Sequence, residues 1–295
     1  MKIMKFGGSS VANAININKV IDIVLKSQKS GENIVVVVSA LGGITDSLVM
    51  LANLAFKRDV ESKNLLKTIC ERHNQVIREL IGLKNLKKVL QEISKKYSEL
   101  EEVIKNIFGK EPSKQSLDAV MSFGELLSSY IISEAIKERG VLCEFVDSRD
   151  IIKTDDNFGN AEVDIENSYE LISKCFKNKY TLSVMGGFIA STKDNKTTTL
   201  SRGGSDYTAS LVGAAVDASI VEIWTDVDGL MTADPRKVKD AVLIPEISYE
   251  KAEEMALAGA KVIHPRTMKP AKLKNILIYI KNTFNPECAG TKISN

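Results

Sequence analysis

The sequence predicts an α/β fold with a mainly parallel sheet covered by helices on both faces, and three observations carry that prediction. Short apolar runs alternate with longer stretches of helical period, as parallel strands joined by crossover helices require. The runs at 34–38, 142–146, 182–185, 220–224 and 276–280 are apolar enough to be buried on both sides. Glycines fall just beyond the first of these strands and at several later joints, where a chain leaving a sheet must turn tightly.

Residues 2–6 read as the opening strand, with a helix from about residue 11 onward. In that helix Ile17, Val20, Ile21, Val24 and Leu25 recur on one face before Gly31 supplies a stop. From 46 to 110 no strand pattern occurs: Leu, Lys, Glu and Ile at amphipathic spacing mark two or three helices inserted into the frame. Their charges read as a solvated face and are assigned no chemistry. Pro112-Ser113 breaks the chain before a helix that carries Phe123-Gly124-Glu125, and 192–197 reads as a hairpin tip between two strands.

Composition narrows the function. The chain has 295 residues, enough for one large α/β domain or two ordinary ones, with 40 basic and 38 acidic side chains and a formal charge of +2. No basic run or aromatic-interleaved patch suits nucleic acid, so a charged ligand must be met locally. Cys70, Cys143, Cys175 and Cys288 are widely spaced, which argues against a disulfide framework or zinc site, and His73 and His264 are solitary. The first residues run straight into a glycine loop without the order of a signal peptide, and no apolar run approaches a membrane span. The expectation is a soluble cytoplasmic protein.

Two phrases carry most of the chemistry. Lys5-Phe6-Gly7-Gly8-Ser9-Ser10 and Leu200-Ser201-Arg202-Gly203-Gly204-Ser205-Asp206 each place a glycine pair, a hydroxyl and a charge at a strand-to-loop junction. Such loops let backbone N–H groups approach an anion, and a following helix start adds partial positive charge. Neither a P-loop nor a Gly-x-Gly-x-x-Gly fingerprint is present. The first phrase also fits a plain turn with a surface lysine. In the second, Ser205 or Asp206 could serve as a helix N-cap, although a cap does not explain Arg202, whose planar fork matches a carboxylate. Ser39-Ala40-Leu41-Gly42-Gly43-Ile44-Thr45 forms a third strand-end loop, with Thr45 as cap or ligand contact. Glu125 suits an ammonium or a solvated helix face. The loop from Trp224 through Arg236 lacks the remaining ligands of a calcium loop and suits a nucleotide edge instead. Lys261, before Val262, is a phosphate contact or a solvated side chain.

Taken in order, Lys-Phe-Gly-Gly-Ser-Ser at 5–10, Phe-Gly-Glu at 123–125, Arg-Gly-Gly-Ser-Asp at 202–206, Trp-Thr-Asp-Val-Asp-Gly at 224–229, Asp-Pro-Arg at 234–236 and Gly-Ala-Lys-Val-Ile-His-Pro at 259–265 resemble the aspartokinases. These belong to the amino-acid kinase superfamily, and the likeness is strongest to the kinase portion of bifunctional aspartokinase/homoserine dehydrogenases. It covers essentially the whole chain. It implies a three-layer α/β/α sandwich and phosphoryl transfer from ATP, carrying Mg2+, to the side-chain carboxylate of L-aspartate, the first step toward lysine, threonine and methionine. A kinase for another small acid, and a catalytically silent ligand-binding module of the same fold, are the competing readings.

By the same resemblance Arg202 would clamp an aspartate carboxylate, Glu125 its ammonium, and Ser39, Thr45 and Ser205 would add hydroxyl contacts. Lys5 would lie along the transferring phosphoryl group, with Asp206 orienting it. Gly7, Gly8, Gly186 and Gly187 would donate backbone N–H groups beside Ser9, while Thr225, Asp226, Met231, Arg236, Lys261 and Val262 would border ATP. No metal site built from side chains is implied. The part to about residue 190 would serve mainly aspartate and the remainder mainly ATP. Met231 stands where relatives often carry tyrosine. Relatives also usually continue into ACT regulatory domains where this sequence ends, so a catalytic module, cut from a longer protein or naturally short, without ACT domains and insensitive to lysine or threonine is expected. Self-association is left open.

Overall fold

The computed structural model of the chain describes residues 1–29, 31–177, 181–233, 238, 240–258 and 265–295. Strand β1 (Lys2–Phe6) leads through a loop to α1 (Ala14–Gln28) and on to β2 (Ile34–Val38). Five helices follow: α2 (Ile44–Phe56), α3 (Glu61–Leu80), α4 (Leu83–Ile107), α5 (Lys114–Met121) and α6 (Phe123–Glu138). The chain then forms β3 (Cys143–Val146), α7 (Ser148–Ile151), β4 (Lys153–Thr154), α8 (Ile165–Phe176) and β5 (Leu182–Gly186). A hairpin of β6 (Ile189–Thr192) and β7 (Thr197–Thr199) precedes α9 (Gly204–Ala215) and β8 (Ile220–Thr225). The last elements are β9 (Glu246–Ser248), α10 (Tyr249–Leu257), α11 (Pro265–Leu273), β10 (Leu277–Asn282) and β11 (Thr291–Ser294).

Eight strands form the main sheet in the order β3-β5-β2-β1-β8-β10-β11-β9. Pairing is parallel from β3 to β10, and only the β10–β11 pair is antiparallel. A smaller sheet, β4-β6-β7, flanks it. Strand alternation divides the core in two. Met4, Phe6, Val36, Val38 and Trp224 pack with α1–α6, whereas Ile3, Val35, Val37, Ile223 and Ile280 pack with α8–α11. This is the α/β/α sandwich that the apolar runs predict.

The helices between β2 and β3 show why so charged a stretch stays folded. Helix α4 buries Val89, Ile93, Leu100, Ile104 and Ile107, and α3 buries Ile69, His73, Val76 and Ile77, at three- and four-residue spacings. Helix α5 begins where Ser113 accepts from the Ser116 N–H at 3.1 Å. From Lys114 to Glu138 the chain is long and apolar enough to cross a bilayer by length and composition, contrary to the sequence expectation. However, 83% of its most apolar window is buried inside the protein, as in a core helix.

One boundary differs in a way that affects the site. The first helix starts at Ala14 rather than near residue 11, because Asn13 is extended and its side chain accepts from the Asn16 N–H. Residues 7–13 therefore form a loop of their own, and Gly7 and Gly8 are not at the helix terminus.

Candidate active site

Register brings the strand ends together. Phe6 pairs with Val38 and Trp224, and Val38 with Gly186, so the loops leaving β1, β2, β5 and β8 emerge side by side at the carboxyl edge of the sheet. A cavity of about 340 Å³ opens there, lined by residues that include Lys5, Ser39, Thr45, Glu125, Arg202 and Ser205.

Lys5 alternates onto the same sheet face as Ile3, the face covered by α9, and there its Nζ meets Asp206 Oδ1 at 2.6 Å. Both side chains are largely buried, at 10% and 13% exposure, so the pair is little screened by water. Helices α2 and α9 both start on a glycine in the left-handed region, Gly43 at φ 79° and Gly203 at φ 78°, and neither has a side-chain cap bond. Thr45 and Ser205 thus lie inside the first turns and are not the caps. The N-termini of two helices border one cavity with Lys5 between their loops, an arrangement that favours negative charge.

Glu125 is not a solvated helix residue. Helix α6 buries it to 3% exposure, and the loss of water pushes its carboxyl up to about 8. Its Oε1 accepts the Ala40 N–H at 3.1 Å, while Oε2 is buried without a hydrogen-bond partner among the described residues. One turn on, Ser128 Oγ donates to the Ser39 carbonyl at 2.8 Å. Helix α6 so grips the β2 loop at two consecutive residues. Ser39 and Ser205 share a 3.1 Å hydroxyl contact that joins this loop to α9. Arg202 is exposed and has no ion-pair partner among the described residues.

Other expected contacts fall differently. The Gly7 N–H donates to the Trp224 carbonyl at 3.1 Å and the Gly187 N–H to the Val38 carbonyl at 2.8 Å, so neither is available to a phosphate. That corrects the donor role given to both. Gly187 has a packing reason instead: a Cβ there would stand 2.6 Å from Ser205 Cα. Gly186 ends β5, and its carbonyl accepts from Ser148 Oγ. Among the described residues no partner holds the N–H of Gly8 or Ser9. Gly8 borders the cavity, whereas Gly7, Ser9, Gly186, Gly187, Thr225, Asp226 and Met231 do not line it. Thr225 and Asp226 are joined at 3.1 Å at the end of β8, and Met231 bridges to Leu243. Arg236, Lys261 and Val262 lie outside the described residues.

Beside this edge, Trp224 stacks on Phe6 with ring centroids 5.8 Å apart, and its indole N–H donates to Glu222 at 2.9 Å. Sequence reasoning missed Ser128 and Phe188. Phe188 lines the cavity at φ 66°, a backbone conformation that bulky residues rarely adopt, with its N–H bound to Thr208 Oγ1 and its carbonyl to the Leu200 N–H. The glycine pair before it was the available signal. Among the described residues no group of three or more His, Cys, Asp or Glu side chains could hold a metal.

A doubly covered parallel sheet with glycine loops meeting at its carboxyl edge defines a class of α/β proteins whose small-ligand crevice lies at that edge. The chain belongs to the amino acid kinase family, whose sequence profile matches residues 1–282. It is 38% identical over 303 residues to lysine-sensitive aspartokinase 3 of Escherichia coli, covering 99% of this chain and 64% of that protein. To bifunctional aspartokinase/homoserine dehydrogenase 1, chloroplastic, of Zea mays it is 37% identical over 292 residues, covering 98% of this chain and 32% of that one. The chain thus spans about a third to just under two thirds of these relatives. The crystal structure of E. coli aspartokinase III in complex with aspartate and ADP superposes with a TM-score of 0.91 at 36% identity, over 100% of this chain and 64% of that one.

Proposed function

We propose that this chain is the catalytic region of an aspartate kinase, transferring the γ-phosphoryl group of ATP to the β-carboxylate of L-aspartate. The observation that carries the reading is one cavity holding Glu125, with an unpartnered buried carboxylate oxygen, together with Arg202 and the Lys5–Asp206 pair. An α-amino acid needs an anion for its ammonium and a cation for its carboxylate, and the transferring group needs a third charge between them. The likeness to an aspartokinase crystallised with aspartate and ADP supports the same assignment.

The acceptor carboxylate is ionised at neutral pH and needs no general base. The work left to the protein is alignment and charge neutralisation. Glu125 and Arg202 would hold the two ends of the amino acid, with Ser39, Thr45 and Ser205 as hydroxyl partners. Lys5, held by Asp206, would stabilise charge on the phosphoryl oxygens, aided by the Gly8 and Ser9 N–H groups and the first turns of α2 and α9. Thr225, Asp226, Met231, Arg236, Lys261 and Val262 would border the nucleotide, with Gly7 backing the loop. Magnesium, carried by the nucleotide phosphates, would supply further charge neutralisation.

Purified protein should release ADP and form a hydroxylamine-trappable acyl phosphate with aspartate, but not with glutamate or N-acetylglutamate. Binding of aspartate and ATP without any hydroxamate would refute the catalytic reading.

A further inference from the structure

Asp118 lies outside the cavity, yet it is a fully buried carboxylate gripping three donors. It accepts from the Gly159 N–H at 2.8 Å, the Thr199 N–H at 3.0 Å and Thr199 Oγ1 at 2.6 Å. Thr199 ends β7, and three residues later the chain reaches Arg202. Between them, Leu200 donates its N–H to the Phe188 carbonyl at 2.8 Å. The root of the Arg202 loop is therefore fixed by a side chain of α5.

Helices α5 and α6 form a two-part rod joined at Ser122, whose backbone keeps helical dihedrals at φ −57° and ψ −26°. Two hydrogen bonds span the junction, where the Ser122 N–H reaches the Asp118 carbonyl at 3.0 Å and the Leu126 N–H reaches the Ser122 carbonyl at 3.1 Å. Asp118 and Glu125 are seven residues apart, almost two full turns, so they leave the rod on the same side about 10.5 Å apart along its axis. One carboxylate enters the cavity, and the other anchors the strand that delivers Arg202.

We propose that Asp118 is a positioning residue for Arg202, so that a single helical rod sets the spacing between the group that holds the amino end of the substrate and the one that holds its carboxylate. That spacing selects the length of the amino acid accepted. The inference rests on the aspartate reading of the site. Two of the partners are backbone N–H groups on one oxygen, Oδ2, and the third is a hydroxyl on Oδ1, so a carboxylate makes all three bonds charge-assisted. An asparagine would keep the shape, with its N–H2 reaching the Thr199 hydroxyl as donor, but would lose the charge that strengthens these bonds.

The test compares Asp118→Asn and Thr199→Val, each alone and combined with Arg202→Ala, by steady-state kinetics in both substrates and by calorimetry of aspartate binding. Asp118→Asn should raise the aspartate KM about tenfold, the effect of weakening roughly one charged hydrogen bond, and leave the ATP KM within about twofold. Preference for aspartate over glutamate should fall with it. In the Arg202→Ala background the same change should add nothing, since its route of action is gone. Equal shifts in both KM values, no shift at all, or full additivity with Arg202→Ala would overturn the role. If Asp118→Asn does not fold, Thr199→Val, which loses one hydroxyl, decides the matter on the same split between substrates. A wild-type chain that neither binds nor phosphorylates aspartate overturns both this inference and the functional reading. An active wild type with unaltered variants overturns this inference alone.

Discussion

With Glu125 as the proposed partner of the substrate ammonium, aspartate binding should be a proton-linked event whose size follows from the surroundings of that carboxyl. With its carboxyl at about 8, the empty site is roughly 90% protonated at pH 7. An incoming ammonium beside Oε2 favours the ionised form, so binding at pH 7 should expel close to one proton. The aspartate KM should accordingly fall by up to about tenfold per unit as pH rises from 6, and level off near 8. Titration calorimetry in two buffers of different ionisation enthalpy counts the protons directly. Folding stability runs the opposite way in the empty protein. The folded state keeps a proton that the unfolded chain loses above about 4.5, so stability drains away between there and about 8, and added aspartate should raise Tm more at high pH than at low. Glu125→Gln retains an acceptor for the Ala40 N–H but not the charge. It should raise the aspartate KM roughly 10- to 150-fold, the worth of about 1.5–3 kcal/mol for a charged hydrogen bond, and abolish the pH slope. A wild-type KM that is flat from pH 6 to 9 with no proton release would show that Glu125 does not meet the ammonium.

Lys5→Met should lower kcat by about two to three orders of magnitude with little change in aspartate affinity, the loss expected from one preorganised electrostatic donor, and a near-normal kcat in single-turnover assays would contradict that role. Arg202→Ala should act chiefly on the aspartate KM, so an unchanged value counts against the clamp. Gly187→Ala would press a methyl group 2.6 Å from Ser205 Cα, which should destabilise the fold by about 1–3 kcal/mol and weaken aspartate binding through Ser205; thermal unfolding and KM measured together check both parts.

The sheet was legible because runs such as 34–38 are buried on both faces and leave little room for another pattern. The hairpin at 192–197 was legible from its turn residues, and Asn195 indeed takes the left-handed region at φ 60°. The start of α1 was misplaced because Asn13 caps through local dihedrals that apolar periodicity does not encode. Within the site, glycines and charges marked the loops but not the use of each N–H. The Gly7 and Gly187 donors are consumed by strands far away in sequence, Trp224 and Val38. Glu125 presents the same limit: a single acid at the head of a helix looks identical whether water or Ala40 faces it, and only tertiary packing decides. Asp118 gave no signal, because its partners lie 41 and 81 residues away.

Trp224 is the chain's single tryptophan, and it sits 3% exposed where the glycine loop leaves the sheet. Its carbonyl holds the Gly7 N–H, its ring faces Phe6, and the Lys281 ammonium lies 4.8 Å from its centroid. The protein therefore carries an intrinsic fluorophore wired to the loop that, in the proposed function, lies beside the nucleotide. On that reading its emission should change when nucleotide arrives, without any label, and a mutant that empties the nucleotide edge should leave that optical signal silent while the rest of the fold stays intact.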